Sequence, residues 1–164
     1  MALCENVIEL LKARGMTCAT AESCTGGGVG AALTSVPGSS ATFLGGVISY
    51  ANEVKRDVLG VKAETLATVG AVSSETAAQM AAGARRLLKA DLAVSVTGIA
   101  GPDGGTPEKP VGLVWFGLAS AAGVRTEKAL FVGDRATVRA KAVTHALGML
   151  LVAATDPCGE SKVI

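Results

Sequence analysis

The run LAVSVTG at 92–98 constrains the fold most, because it has no charged residue and no clean polar face. A seven-residue stretch of this kind reads as a strand buried on both sides, and such a strand needs a covering layer above and below it. The Gly- and Pro-rich run that follows, IAGPDGGTPEKPVG at 99–112, excludes regular structure and marks a long loop.

The neighbouring segments supply the layers. Leu3, Val7, Leu10 and Leu11 share a helical face that Gly15 terminates, and TCATA at 17–21 reads as a second buried strand. A helix is predicted over about 26–35, closed by Pro37-Gly38, then a strand at 45–51 that brings Tyr50 to its end. Asn52 is expected to cap a short helix through Leu59 with Lys55 in its first turn, and 62–68 reads as another short helix. Ser73 or Ser74 opens a helix to about Lys89, with Glu75 near its positive end and Met80, Ala84, Leu87 and Leu88 inward. Segments 111–120 and 125–132 have hairpin spacing around Ala122-Gly123. Asp134 caps a last helix with Val138, Ala142, Leu147, Leu150 and Val152 inward, and 156–164 reads as a frayed tail.

Strands alternating with helices, followed by a hairpin and a closing helix, predict a three-layer α/β/α sandwich around a mixed, mostly parallel sheet. The expectation is one domain over 1–164 with its core at about 5–153. Ligands of such sheets bind at the carboxyl ends of the strands. The segments Ser23–Gly27, Tyr50–Lys55 and Thr97–Gly105 are therefore predicted to share one cleft.

Composition narrows the chemistry. Fifteen Lys and Arg against fourteen Asp and Glu leave a charge of +1 without a basic run, so no nucleic-acid partner is expected. No apolar stretch reaches the roughly 18 residues of a membrane span, and no membrane partner is expected. Cys4, Cys18, Cys24 and Cys158 show no C-x-x-C spacing, and the charged, amphipathic amino terminus is not a signal peptide; both predict reduced thiols and a cytoplasmic protein. With one histidine, His145, inside a helix, neither a zinc site nor a Ser-His-Asp arrangement is supported, and no metal or cofactor is expected.

Ser23 stands between a strand and a helix start, where amides without intrahelical partners favour developing negative charge. It is either a nucleophile served by the amides near Gly26 and Gly27, or, like Thr25, only a helix cap. Cys24 is a competing nucleophile with no histidine partner. Lys55 is either a solvated surface amine or, once desolvated, the base that takes the Ser23 proton. Tyr50 can orient Lys55 or relay a proton, and the other reading is a half-buried strand-end tyrosine. Asn52 is a cap or a substrate contact. Thr97 and Gly98 can reach the cleft, followed by Gly101, Gly104 and Gly105, where backbone can approach a ligand closely. Arg135 and Arg139, one turn apart, can form a fork for an anion or a solvated pair near Asp134.

The blocks TAESCTGG (20–27), ISYANEVKRDVLGV (48–61), GAVS (70–73), SVTGIAGPDGG (95–105), KPVGLVWFG (109–117) and GDRATVR (133–139) resemble the carboxy-terminal domain of CinA-type proteins. That family includes stand-alone nicotinamide-nucleotide amidases. The resemblance implies a three-layer fold, a homodimer, metal-independent chemistry, and deamidation of nicotinamide mononucleotide to nicotinic acid mononucleotide and ammonia. It places the family serine on Ser23, the assisting tyrosine on Tyr50, the lysine on Lys55, the T-G-I-A-G-P segment on Thr97–Pro102 and the G-D-R arginine on Arg135. The chain departs from many relatives at Ala51 and Leu113, which puts substrate preference in question, and the amino-terminal domain of the longer members is not expected here. Two alternatives to an amidase stand beside this: a noncatalytic nucleotide-binding regulatory module, and a structural subunit.

Overall fold

The computed structural model describes residues 2–157; the predicted frayed tail and Cys158 lie almost wholly or entirely outside them. Helix α1 spans Leu3–Arg14 and stops at Gly15, whose φ of 61° closes the helix in the left-handed region. Strand β1 (Cys18–Glu22) leads into α2 (Gly28–Thr34) through a turn in which Gly26 and Gly27 hold φ values of 59° and 100°. Both conformations are open to glycine and strained for other residues. A single 3-10 turn, Ser39–Ala41, precedes β2 (Phe43–Ile48). Then come α3 (Asn52–Asp57), α4 (Ala63–Thr68) and α5 (Ser74–Leu88), the last capped by Ser73, which accepts from the Thr76 amide. Strands β3 (Leu92–Gly98), β4 (Leu113–Ser120) and β5 (Gly123–Leu130) precede α6 (Arg135–Thr155), capped by Asp134.

The sheet order is β2-β1-β3-β4-β5. β1 pairs in parallel with β2 and β3, β4 lies antiparallel to β3, and β5 antiparallel to β4, so four of the five strands point one way. Helices cover both faces, which gives the predicted three-layer sandwich with a mixed, mostly parallel sheet.

The two faces differ in grain. On one, Cys18, Leu92, Val94, Val96, Val114 and Phe116 meet residues of α1, α2 and α6 such as Ile8, Leu33 and Leu150. On the other, Ala19, Ala21 and Ala93 meet Met80 and Ala84 of α5. Small side chains on this second face let α5 lie close to the sheet. Ser95 Oγ donates to the Ala77 carbonyl at 2.6 Å, and a Cβ on Gly117 would collide with that same carbonyl.

Several boundaries differ from expectation. β2 ends at Ile48, so Tyr50 lies beyond the strand, and α3 is capped at Ala51 without a side-chain bond, so Asn52 is its first residue and not its cap. Leu87 and Val152 are exposed, since in these last helical turns Leu88 and Ala153 take the inward positions.

Replacing Gly117 with Ala is expected to force α5 off the sheet and lower stability by about 1–3 kcal/mol, the range for overpacking. A urea unfolding midpoint read against the unchanged protein measures this.

Candidate active site

The parallel registry sets Glu22 of β1 level with Ile48 of β2 and Val96 of β3. The chain therefore leaves β1 and β2 at one height while β3 runs on to Gly98, and Ser23, Ser49 and Thr97 follow side by side. The Ser23 amide donates to Val96 O at 2.9 Å and the Ser49 amide to Glu22 O at 2.8 Å, which carries the ladder one residue past the strands.

Lys55 is 1% exposed although it sits on a six-residue surface helix. From α3 its side chain runs back under the strand ends, placing Nζ 3.0 Å from Ser23 Oγ, 2.8 Å from Ser49 O and 3.1 Å from Tyr50 O. Burial lowers its pKa from the ordinary 10.5 because the ion has left water, an effect that a neighbouring Cys24 thiolate would oppose. Two of the three contacts are carbonyls, which can only accept. A neutral amine satisfies them with its two N–H groups and is left with a lone pair facing Ser23 Oγ. That is the arrangement a general base requires.

The cleft beside this pair encloses about 290 Å³ and is bordered by Ser23, Tyr50, Lys55, Thr97, Ala100 and Arg135, with Asn52 and Gly98 also in its wall. A larger groove of about 850 Å³ near Leu113, Trp115 and Leu130 contains neither the hydroxyl nor the amine. Leu113 faces that groove, so its departure from relatives falls away from the cleft; Ala51 stands at the cap of α3.

Several predicted site residues make other contacts than the sequence suggests. Tyr50 offers Lys55 its main-chain oxygen; its phenol, on a side chain in a residue 61% exposed, accepts from Arg135 Nη2 at 3.2 Å. Thr97 Oγ1 donates to Ala71 O at 2.7 Å, which commits its proton to the main chain within the cleft wall. Thr25, Gly26, Gly27 and Arg139 are not in the cleft wall. Thr25 Oγ1 donates to Glu22 Oε1 at 2.7 Å, the Gly26 amide to Ser23 O at 3.0 Å, and Gly27 caps α2. Arg139 Nε and Nη2 donate to Cys24 O and Thr25 O at 3.1 and 3.2 Å, so it forms no fork with Arg135. Arg135 does remain at the cleft, with Nη1 donating to Gly101 O at 2.9 Å.

Cys24 is buried and its thiol is pushed up to about 11, chiefly by desolvation, while Cys18 is pushed up to about 12 for the same reason. Neither is a thiolate near neutrality.

Two residues of the site lay outside the sequence reading. Ser49, fully buried, supplies a carbonyl to Lys55. Glu22, 1% exposed, accepts from Val29 N at 2.8 Å and Gly30 N at 3.0 Å as well as from Thr25. Glu22 had a signal: it is the only charged residue between Arg14 and Glu53.

Fold and site together define an α/β/α domain with a hydroxyl-amine pair at the carboxyl ends of its parallel strands. The chain belongs to the CinA family, whose description is "CinA C-terminal domain" and which matches residues 1–153. The Escherichia coli K12 protein named nicotinamide-nucleotide amidohydrolase PncC is 52% identical over 151 residues, 92% of each chain. A protein of Halothermothrix orenii named as competence-damage inducible is 59% identical over 135 residues, and the matched part is 82% of this chain but 33% of that longer one. The crystal structure of the competence/damage inducible protein CihA from Agrobacterium tumefaciens superposes with a TM-score of 0.90 at 46% identity, covering 94% of both chains.

With its thiol held near 11, Cys24 is expected to stay unmodified by iodoacetamide at pH 8 in the native protein and to react once unfolded. Peptide mass mapping after each treatment tests this.

Proposed function

We propose that this chain is an amidohydrolase that converts nicotinamide mononucleotide to nicotinic acid mononucleotide and ammonia through Ser23 and Lys55. The observation that carries the reading is the 3.0 Å approach of the buried Lys55 amine to Ser23 Oγ. A noncatalytic nucleotide-binding module requires no such contact, and neither does a structural subunit. The substrate comes from the relative named for nicotinamide-nucleotide hydrolysis, which matches over 92% of both chains.

In the first half-reaction, Lys55 Nζ takes the hydroxyl proton as Ser23 Oγ bonds to the carboxamide carbon. The ammonium formed then donates a proton to the amide nitrogen, the C–N bond breaks and ammonia leaves. Without that proton the leaving group would be amide ion, which is inaccessible near neutrality. In the second half-reaction, water attacks the acyl carbon, Lys55 takes its proton and returns one to Ser23 Oγ as the ester bond breaks.

The cleft loop offers donors for the oxyanion. Among the described residues the amides of Ala100 and Gly101 have no hydrogen-bond partner, whereas those opening α2 at Val29 and Gly30 are already bound by Glu22. Arg135, at the solvent rim beside the aromatic Tyr50, takes the role of phosphate holder in this reading, supported by its bond to Tyr50 Oη and its position in the cleft wall. Asn52 and Gly98 complete the proposed contacts. The same reading takes the protein to be a cytoplasmic homodimer acting on a small-molecule nucleotide without a metal or other cofactor. Among the described residues, no helix is long and apolar enough to cross a membrane.

Ser23→Ala is expected to abolish ammonia release from the mononucleotide, and denaturation of an enzyme-substrate mixture should trap an acyl adduct on Ser23. Normal turnover by Ser23→Ala would refute the mechanism. Lys55→Met should keep the fold and reduce the rate by about 10²–10⁴-fold, the usual range for a lost general base. Because burial favours the neutral amine, activity should rise with pH along a limb centred below 10.5, and that limb should vanish in Lys55→Met. The sign is fixed: protonated Lys55 cannot accept the Ser23 proton, so acid conditions suppress the rate.

A further inference from the structure

The Ser23–Gly27 turn must hold Ser23 Oγ at one angle to the amine and the substrate. Its own residues are poorly suited to that, because Gly26 and Gly27 contribute no side chains and adopt positive φ. The bracing comes from two oppositely charged groups on either side of the turn. On one side the Glu22 carboxylate takes donors only: Thr25 Oγ1 and Val29 N on Oε1, and Gly30 N on Oε2. On the other, the Arg139 guanidinium, presented by α6, gives two hydrogens to the carbonyls of Cys24 and Thr25. The main chain of Glu22 also accepts from the Ser49 amide, so the residue fastens the end of β2 to the turn.

We propose that Glu22 and Arg139 are positioning residues that clamp the nucleophile turn between a carboxylate and a guanidinium, acting on the rate of attack by Ser23 and not on substrate affinity. Both act through Ser23 and neither needs to touch substrate. The assignment rests on Ser23 being the nucleophile proposed above. Charge-assisted bonds suit the task because they are short and directional, and here each partner is a fixed main-chain or buried group. Arg139 gives the cleaner test, since it is solvent-exposed and its removal leaves no cavity in the core.

Arg139→Ala, Arg139→Lys and Glu22→Gln are compared with the unchanged protein in two assays. One is steady-state hydrolysis of nicotinamide mononucleotide. The other is the rate at which a fluorophosphonate labels Ser23, followed by intact mass. For Arg139→Ala, kcat should fall by about 10²-fold, the scale expected when a reacting group is misplaced by about 1 Å, with KM nearly unchanged. Ser23 labelling should slow in parallel. Arg139→Lys, which keeps the charge but loses the two-pronged geometry, should fall between. Glu22→Gln should show the same kcat-only loss, because its amide turns a donor toward the α2 amides. If it does not fold, the Arg139 pair decides. A raised KM with undiminished labelling would make Arg139 a substrate contact and overturn the proposal, as would unchanged kcat and labelling in both Arg139 variants. If the unchanged protein labels at Ser23 but does not hydrolyse the mononucleotide, the proposed substrate fails, while the labelling ratios still test the clamp.

Discussion

Taking the Lys55 amine out of water is costly, and the site is built around that cost. A buried ion loses several kcal/mol of solvation, and this is offset only where every proton finds an acceptor or the group gives one up. Both routes are provided. Two main-chain carbonyls, at Ser49 and Tyr50, face the amine from the end of β2, and Ser23 Oγ faces it from the end of β1. Among the described residues, no buried side-chain nitrogen or oxygen is left without a partner. The site therefore exists only if β1 and β2 end at the same height and the chain doubles back through α3 at once. A shift of one residue in that registry would point the strand-end side chains to the opposite face and leave the amine unsatisfied.

The unequal faces of the sheet follow from the same demand for precision. Where α1, α2 and α6 pack, large side chains interlock and fix the strand positions laterally. Where α5 packs, alanine, serine and glycine bring the helix backbone near the sheet, and polar groups bridge the short gap. Ser95 reaches Ala77 O, and two residues further along β3, on the same side of the sheet, Thr97 reaches Ala71 O beside the cleft. The hydroxyl at Thr97 thus fastens the segment before α5 to the cleft floor. Its type suggests a substrate donor, and in the structure its proton goes to Ala71 O.

Much of this was legible in the residues. The bounds of β3 emerge directly from LAVSVTG, the α/β/α layering from the alternation of elements, and the meeting of Ser23, Lys55 and Thr97 from the rule that parallel strand ends gather ligands. What was not legible is direction. A short helix such as NEVKRD exposes most of its residues, and nothing in its composition says that Lys55 points under the sheet while Arg56 points to water. Likewise Arg135 and Arg139, four apart, look like one fork. α6 passes across the turn, so Arg135 meets Gly101 and Tyr50 while Arg139 meets the back of the Ser23 turn. The glycines of the turn suggest a site for an external anion, whereas the chain carries its own anion, Glu22, to the helix start.

Burial, with a smaller contribution from that internal carboxylate, sets apart two adjacent candidate nucleophiles. Ser23 and Cys24 stand side by side, and a helix start ordinarily lowers a thiol's pKa. Here the amides that would do so at Val29 and Gly30 are held by Glu22. Cys24 turns into the core, where desolvation raises its pKa and outweighs the lowering by its own backbone amide and by Arg139; Glu22 adds a smaller upward effect and Lys55 a still smaller downward one. Both residues border the cleft, but it is Ser23 Oγ that meets the amine. A hydroxyl needs a neighbouring base to be reactive at neutral pH, whereas a thiol needs a field that stabilises its anion. The turn sets an amine beside the oxygen and leaves the sulfur in apolar surroundings, in keeping with the proposal that Ser23 attacks.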